Sequence, residues 1–306
     1  MTAPCFFIIN PAAGHAGVEA PRLLARARAL GIAFEYEWSR GGETATSFVR
    51  QALRAGATTI VAVGGDGTVN DVINGFFIDE ELIKPDAALA IVPFGSSNDL
   101  TRALGIPASA AALDVLRNGR QIAVDVGRAE YLDLLGRPRV KYFMNNADVG
   151  IGARIALGAQ RHKMLGGSLA FFAAALQAIV DPQPWQGTLA LDDGAPEAVN
   201  AVTVVIALGP YTGGGMRIAP GAKLDDGMFD VVTIDALSSG ELLANLPSIY
   251  TGAHLSHPAV HHARAQAIRI ETGGAPRLEM DGEVAGAGSV AFRMLAGRIP
   301  MWVPRP

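Results

Sequence analysis

Over the first 125 residues, apolar positions alternate between short continuous runs and helically spaced sets. Cys5–Ile9 is an apolar run that ends in the turn signal Asn10-Pro11. Ala33–Trp38 alternates as a strand, and Thr58–Val63 and Ala87–Val92 are continuous runs that read as fully buried strands. Between them, residues 18–30 place Val18, Leu23, Leu24, Ala27 and Leu30 at helical spacing before Gly31, and 44–55 repeat the pattern before Gly56. Further helical segments lie near 68–77, 97–104 and 108–118. Strands alternating with helices predict a parallel sheet wound on both faces.

Beyond about residue 125 the rhythm changes. Short strands are expected at 124–126, 142–145, 188–191, 201–208, 229–234, 267–271, 277–280 and 290–294, with helices only near 161–180 and 239–253. That pattern predicts a β-rich, sandwich-like second domain. The expected division is 1–125, rejoined by about 290–306, and 126–289. The stretch Met164–Val180 holds no charge over 17 residues, just under a spanning length. A buried or groove-lining helix is the favoured reading; a membrane-touching helix and a spanning one stay open.

The chain has 306 residues, 50% of them hydrophobic and 18% charged, enough to bury two cores. Its net charge of -4 offers no basic footprint for nucleic acid. A single cysteine, Cys5, excludes an internal disulfide and a multi-cysteine zinc site. The start of the chain lacks a charged n-region, so no leader is expected and a cytoplasmic setting is, peripheral to the inner membrane face. The composition says nothing of oligomeric state.

The strongest chemical signal is Gly64-Gly65-Asp66-Gly67-Thr68-Val69-Asn70-Asp71, after a buried strand and opening a helix. Glycines let backbone N–H groups approach an anion, and a helix N-terminus favours it. No Gly-Lys-Ser/Thr follows, so this is not a Walker loop, and Asn70 stands where a dinucleotide fingerprint has its third glycine. Asp66 beside phosphates is reasonable if Mg²⁺ bridges the charges or if it accepts a hydroxyl proton; a capped tight turn is the bland alternative. Pro93–Leu100 forms a second polar loop after a buried strand, the expected crevice of an α/β sheet. Asp99 and Arg102 read as a surface ion pair. Asp225, Asp226 and Asp230 surround a glycine turn, suited to a hard cation or to a solvated hairpin. His254, His257, His261 and His262 cluster, but Pro258 and the lack of neighbouring acids favour a structural role over a metal site.

Together, Asn10-Pro11-x-x-Gly14, Gly64-Gly65-Asp66-Gly67-Thr68-x-Asn70, Gly95-Ser96-x-Asn98-Asp99, Leu224-Asp225-Asp226-Gly227 and Asp281-Gly282-Glu283 resemble the diacylglycerol kinase catalytic family, especially its soluble bacterial lipid kinases. The resemblance implies an ATP-binding α/β domain, a β-rich lipid-substrate domain and an interdomain cleft where the substrates meet. It implies ATP contacts at Asn10, Pro11, Ala12, Ala13, Gly14, Ser39, Gly64, Gly65, Asp66, Gly67, Thr68, Val69, Asn70, Asp71, Ser96 and Asn98. It places Asp66, Asp125, Asp226 and Glu283 in an acidic network, with Glu283 as proton acceptor, although sphingosine kinases assign that role to the residue matching Asp66. It assigns a structural Mg²⁺ to Asp226 and the carbonyls of Lys223 and Met228. Ser39 and Ser96 replace the usual threonines, and Asp71 replaces a glutamate. The implied partner is a lipid substrate, with Leu165–Val180, including Phe171 and Phe172, as a wall for acyl chains and with peripheral membrane contact. NAD kinase shares the Gly-Gly-Asp-Gly-Thr loop, phosphofructokinase is more remote, and a non-catalytic lipid-binding member is the remaining alternative.

Overall fold

The computed structural model describes residues 5–161 and 167–306. It divides into two units, one running to Val124 and including Gly297–Pro306, the other Asp125–Ala296. The fold is mixed α/β and rich in sheet.

In the first unit, β1 (Cys5–Ile9), α1 (Ala16–Ala29), β2 (Phe34–Trp38), α2 (Gly42–Arg54), β3 (Thr59–Gly64) and α3 (Asp66–Phe76) alternate. A two-stranded hairpin, β4 (Phe77–Ile78) and β5 (Glu81–Leu82), precedes β6 (Ala88–Pro93), α4 (Asp99–Ala103) and α5 (Leu113–Asn118). β3 and β6 are buried at all six positions each, as central parallel strands covered on both faces must be. The sheet runs β2-β1-β3-β6, all parallel. α1 buries Ala16, Ala20, Leu23, Leu24 and Ala27, and α2 buries Ala45, Val49, Ala52 and Leu53, the stripes that helical spacing announces. Chain order places β2 to one side of β1 and β3 to the other. The β1/β3 junction is therefore a topological switch point, where the loops leaving the two strands diverge and leave a crevice.

β7 (Arg120–Asp133) leads into the second unit, which continues with β8 (Pro138–Phe143), β9 (Asn146–Gly150), α6 (Ile151–Arg161), α7 (Gly167–Val180), β10 (Trp185–Leu191), β11 (Glu197–Ala207), β12 (Phe229–Asp235), α8 (Ser239–Thr251), β13 (Val260–Ala265), β14 (Ala267–Thr272), β15 (Arg277–Met280) and β16 (Glu283–Val303). These strand pairs of the unit are antiparallel: β13 with β12, β12 and β9 with β11, β11 and β14 with β10, β15 with β9, and β8 with β7. β16 pairs with β15 and β14 up to Arg293, and Met301 near its end lies beside Leu89 of β6 in the first unit's sheet. The first unit thus takes up the chain again at Gly297.

Several expectations need correction. The strand expected at 142–145 stops at Phe143, and a new one starts at Asn146. The N–H groups of Met144, Asn145 and Asn146 instead bond the Asp281 carboxylate at 3.1, 3.0 and 3.1 Å. Helix α6 and strand β13 were not expected. Of the uncharged stretch 164–180, residues 164–166 lie outside the described part; the rest is α7. Among the described residues no helix is long and apolar enough to cross a membrane.

Candidate active site

The candidate residues form two sets, one in each unit. In the first, loops leaving β1, β3 and β6 converge at the switch point. Asn10 joins two of them: its Oδ1 accepts the Ala12 N–H at 3.0 Å, and its Nδ2 donates to Thr68 Oγ1 at 3.0 Å. Gly14 has φ +51°, and a β-carbon there would lie 2.0 Å from the Phe94 carbonyl oxygen, so glycine alone lets the first loop meet the third. Gly65 and Gly95 touch in the same way, backbone against backbone. Asn98, left-handed at φ 53°, donates from Nδ2 to the Gly95 carbonyl at 2.7 Å and shapes the third loop.

Asp66 opens α3, and its Oδ2 accepts the Asp99 N–H at 3.3 Å. The first intrahelical bond of α3 is Val69 N–H to the Gly65 carbonyl, so the N–H groups of Gly67 and Thr68 precede the helical ladder and suit an anion. Thr68, Val69 and Asn70 are buried, and Asn70 is braced by Asn74 Nδ2 on its carbonyl at 2.8 Å. The Asp71 carbonyl accepts Thr46 Oγ1 at 2.9 Å, tying α3 to α2. Pro11, Ala12, Gly14 and Ser96 are exposed and Ala13 half-buried, while Gly64 is buried, where a β-carbon would strike Thr68. Ser39, just beyond β2, is buried with an Oγ that has no partner, an unmet donor suited to a ligand. Asp99 is not at the surface as expected. It is 3% exposed, with Arg102 Nε 3.9 Å away.

The second set surrounds the two-residue turn between β15 and β16. Asp281 (φ 49°) and Gly282 (φ 89°) are both left-handed, the geometry for which Asp-Gly is favoured. Asp281 anchors the 144–146 backbone as described, and Glu279 accepts the Gly282 N–H. Glu279 stands directly opposite Asp148 on β9, and both are buried. Burial pushes the Asp148 carboxyl up to about 6, although Thr203 Oγ1 and the Gly152 N–H donate to it. Burial, reinforced by the neighbouring Asp148 charge, pushes Glu279 well above its usual range. Glu283, at the start of β16, is half exposed, with Oε2 3.2 Å from Lys141 Nζ.

Asp125 is buried and bound to the backbone of the Leu224–Gly227 turn: Oδ2 accepts the Gly227 N–H at 2.7 Å, and its own N–H donates to the Leu224 carbonyl at 2.8 Å. Asp226 accepts the Met228 N–H at 3.2 Å on one oxygen and Arg264 on the other. Arg264 also lies 3.6 Å from Asp230, whose Oδ1 is 2.6 Å from His262 Nε2. Arg264 engages one oxygen of the Asp226 carboxylate, so Mg²⁺ held by Asp226 and the carbonyls of Lys223 and Met228 would have to share or displace that guanidinium. The histidines are structural here: His254 is buried with Nε2 2.9 Å from the Ile218 carbonyl, and His261 and His262 pair with Asp235 and Asp230.

Asp148, Lys141 and Arg264 were missed in the sequence. The polar run Asn145-Asn146-Ala147-Asp148, set among apolar neighbours, was the available signal for the first. Along α7, Ala170, Ala174, Ala175 and Ala178 are buried, while Leu169, Phe172 and Val180 are exposed; Phe171 packs inward with Ala159, Ala170 and Ala174.

A phosphate-suited switch-point loop in an α/β unit, followed by an antiparallel β unit, defines a kinase fold of two parts. Residues 4–129 match the diacylglycerol kinase catalytic domain, and residues 145–303 match the YegS C-terminal NAD kinase beta sandwich-like domain. Curated diacylglycerol kinases of Staphylococcus aureus strains are 30% identical over 85% of this chain and 79% of their own length. That of Staphylococcus saprophyticus is 28% identical over 88% and 84%. A crystal structure of a diacylglycerol kinase from Bacillus anthracis superposes with TM-score 0.75 at 24% identity, covering 98% of this chain and 96% of that one. Yeast NADH kinase superposes with TM-score 0.58 at 11% identity, covering 100% and 84%, and shares the fold. The chain belongs to the diacylglycerol kinase family and is a kinase.

Proposed function

We propose that this kinase transfers the γ-phosphoryl group of ATP, brought in as its Mg²⁺ complex, to the hydroxyl of a lipid of the diacylglycerol type. The observation that carries the nucleotide half is the contact of Gly65 with Gly95, which holds two strand-end loops together beside Asp66 and the N-terminus of α3. In this reading Asn10, Gly14, Ser39, Thr68 and Ser96 line the same crevice. Gly67 and Thr68 N–H groups meet phosphate oxygens, and the unmet Ser39 hydroxyl supplies a further donor.

The acceptor half rests on the uncharged helix α7, which exposes Leu169, Phe172 and Val180 to whatever apolar chain lies against it. The lipid oxygen attacks the γ-phosphorus, the bond to the bridging oxygen breaks, ADP leaves, and a carboxylate takes the hydroxyl proton. Glu283 is the acceptor of that proton in this reading: it is half exposed, it sits on a turn fixed by Asp281 and Glu279, and Lys141 stands beside it to hold the charge in place. Asp66 is the alternative base. Asp125 acts through the 224–227 turn it anchors. The curated relatives named diacylglycerol kinase support the lipid branch of the family.

The test is transfer of labelled phosphate from ATP to a panel containing diacylglycerol, phosphatidylglycerol, a sphingoid base and NAD. Labelled diacylglycerol or another lipid supports the reading. Labelled NAD with unlabelled lipids would overturn the acceptor, and no turnover at all would leave a lipid-binding member.

A further inference from the structure

The β7–β8 hairpin ends in a patch that phosphoryl transfer does not use. Its strands pair from Gly127 and Phe143 out to Leu132 and Pro138. Asp133 fixes the turn beyond: Oδ1 accepts the N–H groups of Leu135 and Arg137 at 2.9 and 3.0 Å, and Oδ2 accepts Arg137 Nε at 2.8 Å and Arg139 Nε at 3.2 Å. The backbone of the turn is therefore braced. Leu135 is 75% exposed and Leu134 55%, with Leu132 at 45% and Val140 at 49% behind them. Scattered exposed leucines are ordinary; four large apolar side chains at one braced hairpin end make a patch.

The charge around the patch is basic on balance, although Arg128 is paired to Glu130 and Lys141 to Glu283. Between 128 and 141, Arg128, Arg137, Arg139 and Lys141 stand against Glu130 and Asp133, in a chain whose net charge is -4. A cleft of about 690 Å³ beside the hairpin is lined by Arg128, Arg139 and Arg269 against Glu130 and Glu271, with Leu132 among its apolar residues. Each guanidinium carries five N–H donors, so the Nε bonds to Asp133 leave the terminal nitrogens of Arg137 and Arg139 for phosphate oxygens. Among the described residues β8 pairs only with β7, and its outer edge carries Pro138, Arg139 and Lys141, residues that discourage a second strand from joining. Leucines at a fixed tip within a basic surround match an anionic bilayer interface, not another copy of the chain.

We propose that the β7–β8 hairpin is a membrane anchor, with Leu134 and Leu135 entering the interfacial layer of an anionic bilayer and Arg137 and Arg139 meeting lipid phosphates. Binding of this kind needs no nucleotide, so it stands or falls apart from the kinase reading.

The full chain is sedimented without ATP with vesicles of phosphatidylcholine alone or mixed with phosphatidylglycerol. Expected is at least ~10-fold tighter binding to the mixed vesicles, weakened by salt, and a loss of ~10-fold in the Leu134→Ser/Leu135→Ser double variant with an unchanged melting temperature. Leu135→Trp should add an emission component that shifts to the blue on the mixed vesicles. Equal binding by the double variant and the parent, no binding by the parent, or a parent dimer that the double variant dissolves would each overturn the proposal.

Discussion

Gly65 and Gly95 lie so close that a β-carbon on Gly95 would fall 2.3 Å from the Gly65 Cα, and one on Gly65 2.8 Å from the Gly95 Cα. Both partners are backbone, so neither can swing aside. Gly65→Ala and Gly95→Ala should each push the loops apart. ATP affinity, read by titration calorimetry, should fall ~10-fold or more, since each misplaced phosphate contact is charge-assisted and worth ~1.5–3 kcal/mol. Unchanged affinity would mean that these loops do not hold the phosphates.

Asp66→Asn should lower turnover ~100-fold or more. Glu283→Gln should nearly abolish transfer to lipid while leaving ATP affinity within about threefold, because that carboxylate acts on the acceptor. Full lipid transfer by Glu283→Gln would move the base to Asp66.

Asp125 separates a structural carboxylate from a chemical one. Asp125→Ala strands the buried Gly227 N–H and should cost ~1–3 kcal/mol in denaturant unfolding. Asp125→Asn keeps an acceptor oxygen and should recover most of that stability. If Asp125→Asn is stable yet inactive, its charge takes part in the reaction directly.

Arg264 engages one oxygen of the Asp226 carboxylate, so Mg²⁺ should leave the melting temperature of the nucleotide-free protein unchanged. Arg264→Gln frees Asp226 beside Asp230 and should create a Mg²⁺-dependent rise, which Asp226→Ala then removes. A rise in the parent chain would show that Mg²⁺ displaces Arg264 at Lys223, Asp226 and Met228.

The Asp148 carboxyl is raised from 3.8 to about 6, so the folded state holds a proton that the unfolded state has released. Stability should therefore fall as pH rises from about 4 to about 6 and stay reduced above that; Glu279 adds in the same direction. Asp148→Asn can still accept from Gly152 N–H and can donate to Thr203 Oγ1. It should match the parent near pH 4 and exceed it by ~2–3 kcal/mol near pH 8. Parallel unfolding profiles across that range would contradict the assignment.

The first unit was legible because β3 and β6 are covered on both faces and therefore read as unbroken apolar runs, and because Gly64-Gly65-Asp66 follows one of them directly. What was hidden depends on pairings distant in sequence. β13 reads as polar because His261 and His262 face Asp235 and Asp230, and Arg264 faces Asp226. α6 is obscured by small residues such as Gly158, where a β-carbon would sit 2.8 Å from the Ala174 Cβ of α7. The break at Met144 is set by a carboxylate 137 positions away. The burial of Asp99 likewise follows from the third loop closing over Asp66.

The long strand β16 has a consequence for how the molecule is made. Ile299, Met301 and Val303 are buried with the first unit, yet they are translated after every residue of the second. The first unit must therefore wait, its sheet one segment short at the β6 side, while the intervening 172 residues emerge. A nascent chain halted before Gly297 would expose the flank of β6 to other strands.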